Sequence, residues 1–167
     1  VRIACVMNDI SRAAGRTGLG AVMGSKKLKA VAVRGSAQVP VMERARVTAV
    51  ARWLGDNYKD RMAWATVGIG RGTQDGVTNQ SAVGGLPTRN FGQAMFDHPE
   101  LLSGKRNYEM FLKERDTCQA CPITCKQVFE HESDNPYQKL DPSYGGPEYE
   151  AMAALGSNCG VTDNLAV

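Results

Sequence analysis

Three of the five cysteines in this 167-residue chain lie close together in its last third. Cys118, Cys121 and Cys125 form a C-x2-C-x3-C array. Two cysteines three residues apart can bring both sulfurs to one side of a turn, and a third returns to that side if the segment coils into a helix. Because thiolates are the ligands that iron and zinc sites use, the array predicts a metal or cluster site that the surrounding chain must accommodate.

The spacing alone leaves the identity of the metal open. A four-cysteine iron–sulfur cluster uses such short gaps and often takes one ligand from a distant part of the chain, and Pro122 fits a tight cluster loop. A zinc site also needs a fourth ligand, which His131 could supply. A disulfide would leave the third thiol idle, so a cluster and zinc are both favoured over a disulfide and over unligated cysteines.

Composition excludes several classes of function. The chain is 43% hydrophobic and 22% charged, with a net charge of +3, so it can bury a core. It carries no dense basic stripe typical of nucleic-acid binding and no apolar run long enough for a membrane span. An odd, clustered set of cysteines is typical of a reducing compartment, so we expect a cytoplasmic protein. We also expect no signal peptide and a fragment of a longer chain, because both ends fall inside predicted elements.

Hydrophobic periodicity predicts strands early in the chain and a helix after them. Short apolar runs predict a buried strand at residues 2–7 and a second strand at residues 29–34. Residues 42–58 predict an amphipathic helix that faces a core. The apolar side chains that recur on one face of this helix are Val47, Val50, Trp53 and Leu54.

The later part of the chain predicts loops alternating with helices. Residues 67–87 are rich in glycine and polar residues and predict a long loop, which in a compact domain is usually functional. Residues 106–115 predict a helix that runs into the cysteine array, and residues 130–146, with two prolines, predict a surface loop. Residues 147–155 predict a third helix, because proline and acidic residues occupy its first turn.

The glycine-rich segment at residues 14–25 is the second candidate site. Gly18, Gly20 and Gly24 match neither the dinucleotide fingerprint nor the P-loop. Glycines let a backbone approach a ligand, and consecutive free N–H groups form an anion-binding concavity. The basic residues around it are Arg16, Lys26, Lys27 and Lys29. These residues favour a phosphate or other anion site about as much as a tight connection between strands with solvated lysines.

The glycine segment and the cysteine array, in this order, resemble the aldehyde:ferredoxin oxidoreductase family. These are tungsten, or sometimes molybdenum, enzymes with a bis-pterin cofactor. Residues 14–35 resemble the segment that closes the family's N-terminal domain, and residues 86–91, 146–150 and 155–163 are similar to further stretches in the family's order. The resemblance covers most of the chain, but little of residues 67–85 and of the linker after Gly35.

The resemblance implies roles for the cysteines and the glycine segment. The three cysteines of the array match ligands of a [4Fe–4S] cluster whose fourth cysteine lies further towards the C-terminus, which favours the cluster over zinc and makes His131 a surface residue. The glycine segment matches the part that lines the pterin phosphates and their bridging magnesium, with the Ala21 carbonyl as the magnesium contact. The implied cofactor-binding residues are Arg16, Gly18, Gly20, Ala21, Gly24 and Lys26.

The resemblance also implies a catalytic carboxylate in the G-P-E-Y-E stretch at residues 146–150. Glu150 matches an acidic residue near the tungsten, where a carboxylate could exchange a proton at the reacting carbonyl. Glu148 is its rival, although a simple preference for a helix N-terminus is favoured for that residue. Arg89 and Asn90 either shape the cofactor cavity or tie a loop to the core.

The implied fold is α+β. Residues 1–35 would end a β-rich pterin-binding domain, and residues 36–167 would begin a largely helical domain that carries the cluster loop.

The implied activity is oxidation of small aldehydes to carboxylic acids, with electrons passing to ferredoxin or a partner subunit, and a homo-oligomer is compatible with it. The alternatives are a tungsten-dependent aromatic acyl-CoA reductase of the same family and a non-catalytic zinc-binding module. The fragment alone is expected to be inactive.

Overall fold

Helices and short antiparallel strand pairs occur together in the computed structural model, which describes residues 1–8, 10, 12–61 and 69–167. This mixture confirms the predicted α+β class. The chain divides into two units, Val1–Thr48 and Ala49–Val167. Within the described ranges, no helix has the length and apolar character that crossing a bilayer requires.

The first unit is a small hairpin followed by a helix. Strand β1 (Val6–Asn8) pairs antiparallel with β2 (Arg12–Ala14). Helix α1 (Leu19–Ser25) follows. The N–H of Gly20 donates to the carbonyl of Ala4 at 3.0 Å, and this bond joins the start of α1 to the chain that precedes β1.

The first predicted strand of this unit is wrong in extent, and the second does not form. The buried strand at residues 2–7 is reduced to the paired residues of β1, which are half-buried or exposed. Residues 29–34 form no strand and are exposed throughout. A strand needs a neighbour to pair its N–H and C=O groups, and no described residue pairs with this segment. Its apolar content therefore does not produce a strand here.

Helix α2 (Arg44–Arg61) confirms the helix predicted at residues 42–58, displaced slightly towards the C-terminus. The predicted burial of its apolar face is wrong for this chain. Val47, Val50 and Trp53 are 57%, 64% and 55% exposed. Periodicity identifies the face that a helix can bury, but the described residues leave most of that face exposed, with Leu54 half-buried.

The second unit surrounds one hydrophobic cluster. Leu102, Val77 and Met152 are completely buried in it. Further buried members are Leu86, Phe96 and Ala153. In chain order its elements are two 3-10 turns (Ile69–Arg71 and Thr73–Asp75), α3 (Gly76–Ala82), a 3-10 turn (Pro99–Leu102), α4 (Gly104–Phe111), β3 (Leu112–Asp116), β4 (Lys126–Phe129) and α5 (Tyr149–Ala151), which continues into a π-helical turn (Met152–Gly156).

The predicted loop at residues 67–87 is wrong over most of its length. Val67 and Gly68 lie outside the described residues, but the chain that follows them forms the 3-10 turns and α3. Val77 and Ser81 lie one helical turn apart and are both buried. Tertiary burial of such a face overrides the weak helix propensity of a glycine-rich, polar segment.

The helix predicted at residues 106–115 is correct only as far as Phe111. From Leu112 the chain becomes β3, which pairs antiparallel with β4 and has an irregular register between Leu112 and Glu114. The change has a physical cause, since β4 presents buried residues as a partner for β3. The cysteine array therefore lies in the connection of a hairpin, and not on a continuation of α4.

The two remaining predictions for the later chain hold. Residues 130–146 are a surface loop of half-buried and exposed residues, with 3-10 turns at Pro136–Gln138 and Pro142–Tyr144. The third helix, predicted at residues 147–155, is formed by α5 and the π-helical turn after it. Its regular α-helical part is much shorter than predicted.

A chain of buried amides fixes residues 147–150 in place. The Asn107 side-chain amide donates to the Gln74 side-chain oxygen, and the Gln74 amide donates to the carbonyl of Pro147. Asn164 donates to Asn107 Oδ1 at 2.7 Å. Gln74 and Asn107 are fully buried, and buried amides stabilise a fold only when they are paired in this way.

Replacing Ser103 with alanine is expected to destabilise the second unit by about 0.5–2 kcal/mol, the usual cost of losing an N-cap. Ser103 caps α4, since its hydroxyl oxygen accepts from the N–H of Arg106 at 3.3 Å. Denaturant unfolding of the full-length protein measures the loss. Ser103→Thr keeps the accepting oxygen and should recover most of it, whereas equal losses in both variants would contradict a capping role.

Candidate functional site

The cysteine array occupies the connection between β3 and β4. Cys118 is exposed, Cys121 and Cys125 are half-buried, and all three thiols are free. The N–H of Cys121 donates to the carbonyl of Cys118 at 3.0 Å, which closes a turn in which Ala120 has a φ of 58°. The array lies on an irregular loop, so a helical turn does not bring the third cysteine back to the side of the first two.

Two side chains brace this loop from the β3 side. The Thr117 hydroxyl lies 2.9 Å from the carbonyl of Cys121 and 3.0 Å from that of Ile123. The guanidinium of Arg115 donates to the carbonyl of Thr124 at 2.9 Å. Both contacts bind backbone carbonyls and not sulfur, and the one sulfur contact within the loop is a long one, from the Cys121 thiol to the Ile123 carbonyl at 3.8 Å. The loop is thus organised mainly through its backbone.

The electrostatics of the array favour a bound cation. Burial is the first cause that raises the pKa of the Cys125 thiol, and the negative charge of Glu148 is the second. Cys118 and Cys121 raise this pKa further. Several thiolates close together repel one another, and a metal ion removes that repulsion by supplying positive charge.

The donor set suits a soft metal but does not form a closed cage. Over residues 1–8, 10, 12–61 and 69–167, no three side chains among His, Cys, Asp and Glu converge as a metal site. His131, the alternative zinc ligand, packs edge-on against the ring of Phe111 with centroids 5.6 Å apart. By their chemistry the three free thiols suit a soft metal, although in the described structure they do not converge on a single ion.

A buried amide without a described partner lies behind the array. Gln127 is 4% exposed, and neither its Nε2 nor its Oε1 forms a hydrogen bond with a described residue. Gly72, at a φ of 91°, approaches it so closely that an added Cβ would lie 3.0 Å from Gln127 Cγ and 3.5 Å from the Cys125 carbonyl oxygen. Since buried amides are almost always paired, Gln127 marks a place for a further polar partner near Cys125.

In the glycine segment, two glycines are required by the protein's own backbone. Gly18 has a φ of 71°, and a Cβ on it would lie 2.9 Å from the Arg2 carbonyl oxygen. A Cβ on Gly20 would collide with the carbonyl oxygen of Cys5. Gly24 differs, because a Cβ on it would meet nothing within 4 Å. Close packing of α1 on residues 2–5 thus explains Gly18 and Gly20 without a ligand.

A cavity of about 580 Å³ lies beside α1 in the first unit. Of the predicted cofactor-binding residues, Gly20 and Gly24 line this cavity. Lys29 lines it as well and supplies a positive charge. The predicted residues outside this lining are Arg16, Gly18, Ala21 and Lys26. The structure therefore divides the predicted set into residues that line the cavity and residues that flank it.

The two glutamates of the G-P-E-Y-E stretch have different surroundings. Glu148 is half-buried, and its carboxylate accepts a hydrogen bond from the Thr73 hydroxyl at 3.3 Å. It occupies the N-cap position of α5, and its side chain makes no capping hydrogen bond. Glu150 is exposed in the first turn of α5.

The turn at residues 89–91 ties a loop to the segment after α5. Arg89, Asn90 and Phe91 all have left-handed φ values, of 46°, 56° and 60°. The N–H of Arg89 donates to Ser157 O at 2.9 Å, and that of Asn90 donates to Asn158 O at 2.8 Å. Of the two predicted roles, tying a loop to the core is the one that these contacts support.

Comparison with known proteins matches almost the whole chain. A family model described as aldehyde ferredoxin oxidoreductase, N-terminal domain, covers residues 1–35, and one described as aldehyde ferredoxin oxidoreductase, domains 2 and 3, covers residues 49–167. The chain belongs to the aldehyde ferredoxin oxidoreductase family. The glycine segment lies within the first matched range and the cysteine array within the second, so the predicted resemblance is confirmed.

Individual relatives in the aldehyde ferredoxin oxidoreductase family are much longer than this chain. The tungsten-containing aldehyde ferredoxin oxidoreductases of Thermococcus kodakarensis and Pyrococcus abyssi are 41% and 40% identical to it over 172 residues, which cover 100% of the chain and 26% of each relative. An aliphatic sulfonate oxidoreductase, WOR-like subunit, of Pyrococcus furiosus is 28% identical over 166 residues, or 96% of the chain and 25% of that protein. The chain thus spans about a quarter of the length of these relatives.

Sequence patterns do not predict the contacts of three residues near the array of this aldehyde ferredoxin oxidoreductase chain. Thr73 contacts Glu148 across a separation of 75 residues, and Gly72 and Gln127 meet from different elements. No local spacing predicts such contacts. Only the glycine-rich character of the segment around Gly72 hints that its backbone approaches something closely.

Proposed function

We propose that the full-length protein is a tungsten-pterin oxidoreductase that oxidises small aldehydes to carboxylic acids and passes electrons through a [4Fe–4S] cluster to ferredoxin or a partner subunit. The observation that carries the proposal is the braced C-x2-C-x3-C loop in a chain of the aldehyde ferredoxin oxidoreductase family. The reaction consumes an aldehyde and water and releases the acid, two protons and two electrons, which fits transfer in one-electron steps.

In this proposal, Cys118, Cys121 and Cys125 hold the cluster as thiolates. The proposal is supported by their free thiols, by the bracing of the loop through its backbone, and by the unpaired buried amide of Gln127, a group able to donate to cluster sulfur. The fourth ligand would come from a more C-terminal part of the full-length protein, as the family resemblance implies, and Cys159, which lies outside the array, is assigned no ligand role. Free thiols throughout the chain agree with a cytoplasmic location.

The proposed cofactor is a tungsten, or molybdenum, bis-pterin with magnesium. When bound, the metal centre would supply two-electron oxo-transfer chemistry, while the protein supplies placement and electrostatics. The residues that would bind it are Arg16, Gly18, Gly20, Ala21, Gly24 and Lys26. The support is the cavity lined by Gly20 and Gly24, together with the positive charge of Lys29 at its wall.

The proposed catalytic residue is Glu150. A carboxylate at the reacting carbonyl can accept or deliver the proton that the oxidation requires. The exposed position of Glu150 supports this role, since no hydrogen bond from the described residues occupies its carboxylate. The Thr73 hydroxyl donates to the Glu148 carboxylate instead.

We propose the domain boundary predicted from the sequence. Residues 1–35 would end the cofactor-binding domain, and residues 36–167 would begin the helical domain with the cluster loop. The support is that one family model stops at residue 35 and the other starts at residue 49. Residues 36–43, which are exposed, then form a linker that leads into α2.

Metal analysis and a visible spectrum of the full-length protein, purified without oxygen, test the proposal. About four irons per chain, together with tungsten or molybdenum, are expected. Zinc without iron or tungsten would overturn it in favour of a structural zinc module. Aldehyde-dependent reduction of ferredoxin should follow, whereas activity with aromatic acyl-CoA alone would replace the aldehyde substrate by the alternative of the same family.

A further inference from the structure

Glu148 is held beside the cysteine array by contacts that the proposed function does not use. The Thr73 hydroxyl donates to its carboxylate at 3.3 Å and accepts from the N–H of Tyr149 at 3.0 Å. One side chain thus fixes both the carboxylate and the backbone that follows it. A side chain held from two sides loses rotamer freedom, so the negative charge of Glu148 has a defined position.

The contact between Thr73 and Glu148 is also connected to the cysteine array through the backbone. Gly72 precedes Thr73, and its left-handed φ of 91° places it against the Cys125 carbonyl and the Gln127 side chain. From the other side, Gly146 packs against the Gln127 carbonyl, where an added Cβ would lie 2.9 Å away. Gly72, which precedes Thr73, and Gly146, which lies two residues before Glu148, therefore both lie against the segment that carries Cys125.

The contacts around Thr73 bring Glu148 close to Cys125. Thr73, whose hydroxyl lies 3.3 Å from the Glu148 carboxylate, directly follows Gly72, and a Cβ on Gly72 would lie 3.5 Å from the Cys125 carbonyl oxygen. Arg115 donates to the Thr124 carbonyl at 2.9 Å, and among the described residues no cation forms an ion pair with Glu148. Glu148 thus adds a fixed negative charge close to one ligand position.

We propose that Glu148, positioned by Thr73, sets the reduction potential of the cluster held by the cysteine array. This inference rests on the proposed function, because it requires the cluster. Reduction adds one electron to the cluster, and a fixed negative charge nearby opposes that addition. Charge and hydrogen bonding around a cluster are the means by which proteins set its potential. Glu148 is therefore a positioning residue that keeps the cluster a strong electron donor.

A potentiometric titration of the full-length enzyme, followed by the electron paramagnetic resonance of the reduced cluster, tests this role. Glu148→Gln should shift the midpoint potential to a more positive value, because the carboxylate charge is lost while the shape is kept. Glu148→Asp keeps the charge and should stay closer to the unmodified enzyme. Glu109→Gln removes an exposed carboxylate that pairs with Lys105 at 3.9 Å, and it should not move the potential.

Thr73→Val provides a second route if Glu148→Gln fails to hold iron. It keeps the charge but releases the carboxylate, so the potential should shift in the same direction by a smaller amount. Full iron with an unchanged potential in these variants, or equal shifts in Glu148→Gln and Glu148→Asp, would overturn the inference and leave the proposed function intact. Absence of iron from the unmodified enzyme would overturn both.

Discussion

Replacing Cys125 with serine is expected to remove nearly all iron from the full-length protein. Cys125 is half-buried and directly precedes β4, so the pairing of that strand holds the backbone next to its thiol. A serine hydroxyl stays protonated near neutral pH and is a poor ligand for a site that selects soft thiolates. Iron per chain and the visible absorption of the anaerobically purified protein measure the loss, which should be close to complete.

Cys159→Ser is the matched control for this experiment. Cys159 is also a free cysteine of the second unit, but it is bonded to the Ala154 carbonyl and lies outside the array. Its replacement should leave the iron content unchanged. If Cys125→Ser retained its iron, or if both variants lost iron equally, Cys125 would not be a cluster ligand.

Features carried by neighbouring residues were predictable from the sequence. The array and α2 depend on spacing within a short segment, so the pattern contains most of the information. The third helix was predictable for the same reason, because Pro147 and the glutamates after it mark its first turn.

Features that depend on distant partners were not predictable. Helix α3 forms because Val77 and Ser81 are buried by other elements, against the preference of a glycine-rich segment. Residues 29–34 have the composition of a strand but no described partner. In each case the deciding term is a tertiary contact, which local propensity does not contain.

The candidate site also combines features that a local pattern predicts with features that depend on distant partners. The sequence predicted the three cysteines, but it could not predict that Thr73 and Glu148 meet beside them, since 75 residues separate the two. It also assigned one role to all glycines of the segment at residues 14–25. The structure separates Gly20, which packs on its own chain, from Gly24, which faces open space.

Gly20→Ala is expected to destabilise the first unit by about 1–3 kcal/mol or more, the usual cost of forcing atoms into a filled space. The added Cβ would collide with the carbonyl oxygen of Cys5 and lie 2.7 Å from the carbonyl carbon of Ala4. Both obstacles are backbone, which cannot rotate away as a side chain can. Thermal unfolding of the full-length protein should therefore begin at a lower temperature, and tungsten content should fall with it.

Gly24→Ala separates packing from ligand binding. Its Cβ meets nothing within 4 Å, and alanine in a helix is favoured over glycine by about 0.5–1 kcal/mol, so the unfolding temperature should stay the same or rise. Because Gly24 lines the cavity proposed for the cofactor, the tungsten content should nevertheless fall. If Gly24→Ala kept full tungsten while Gly20→Ala lost both stability and tungsten, the glycines would serve the packing of α1, and the cofactor would not occupy this cavity.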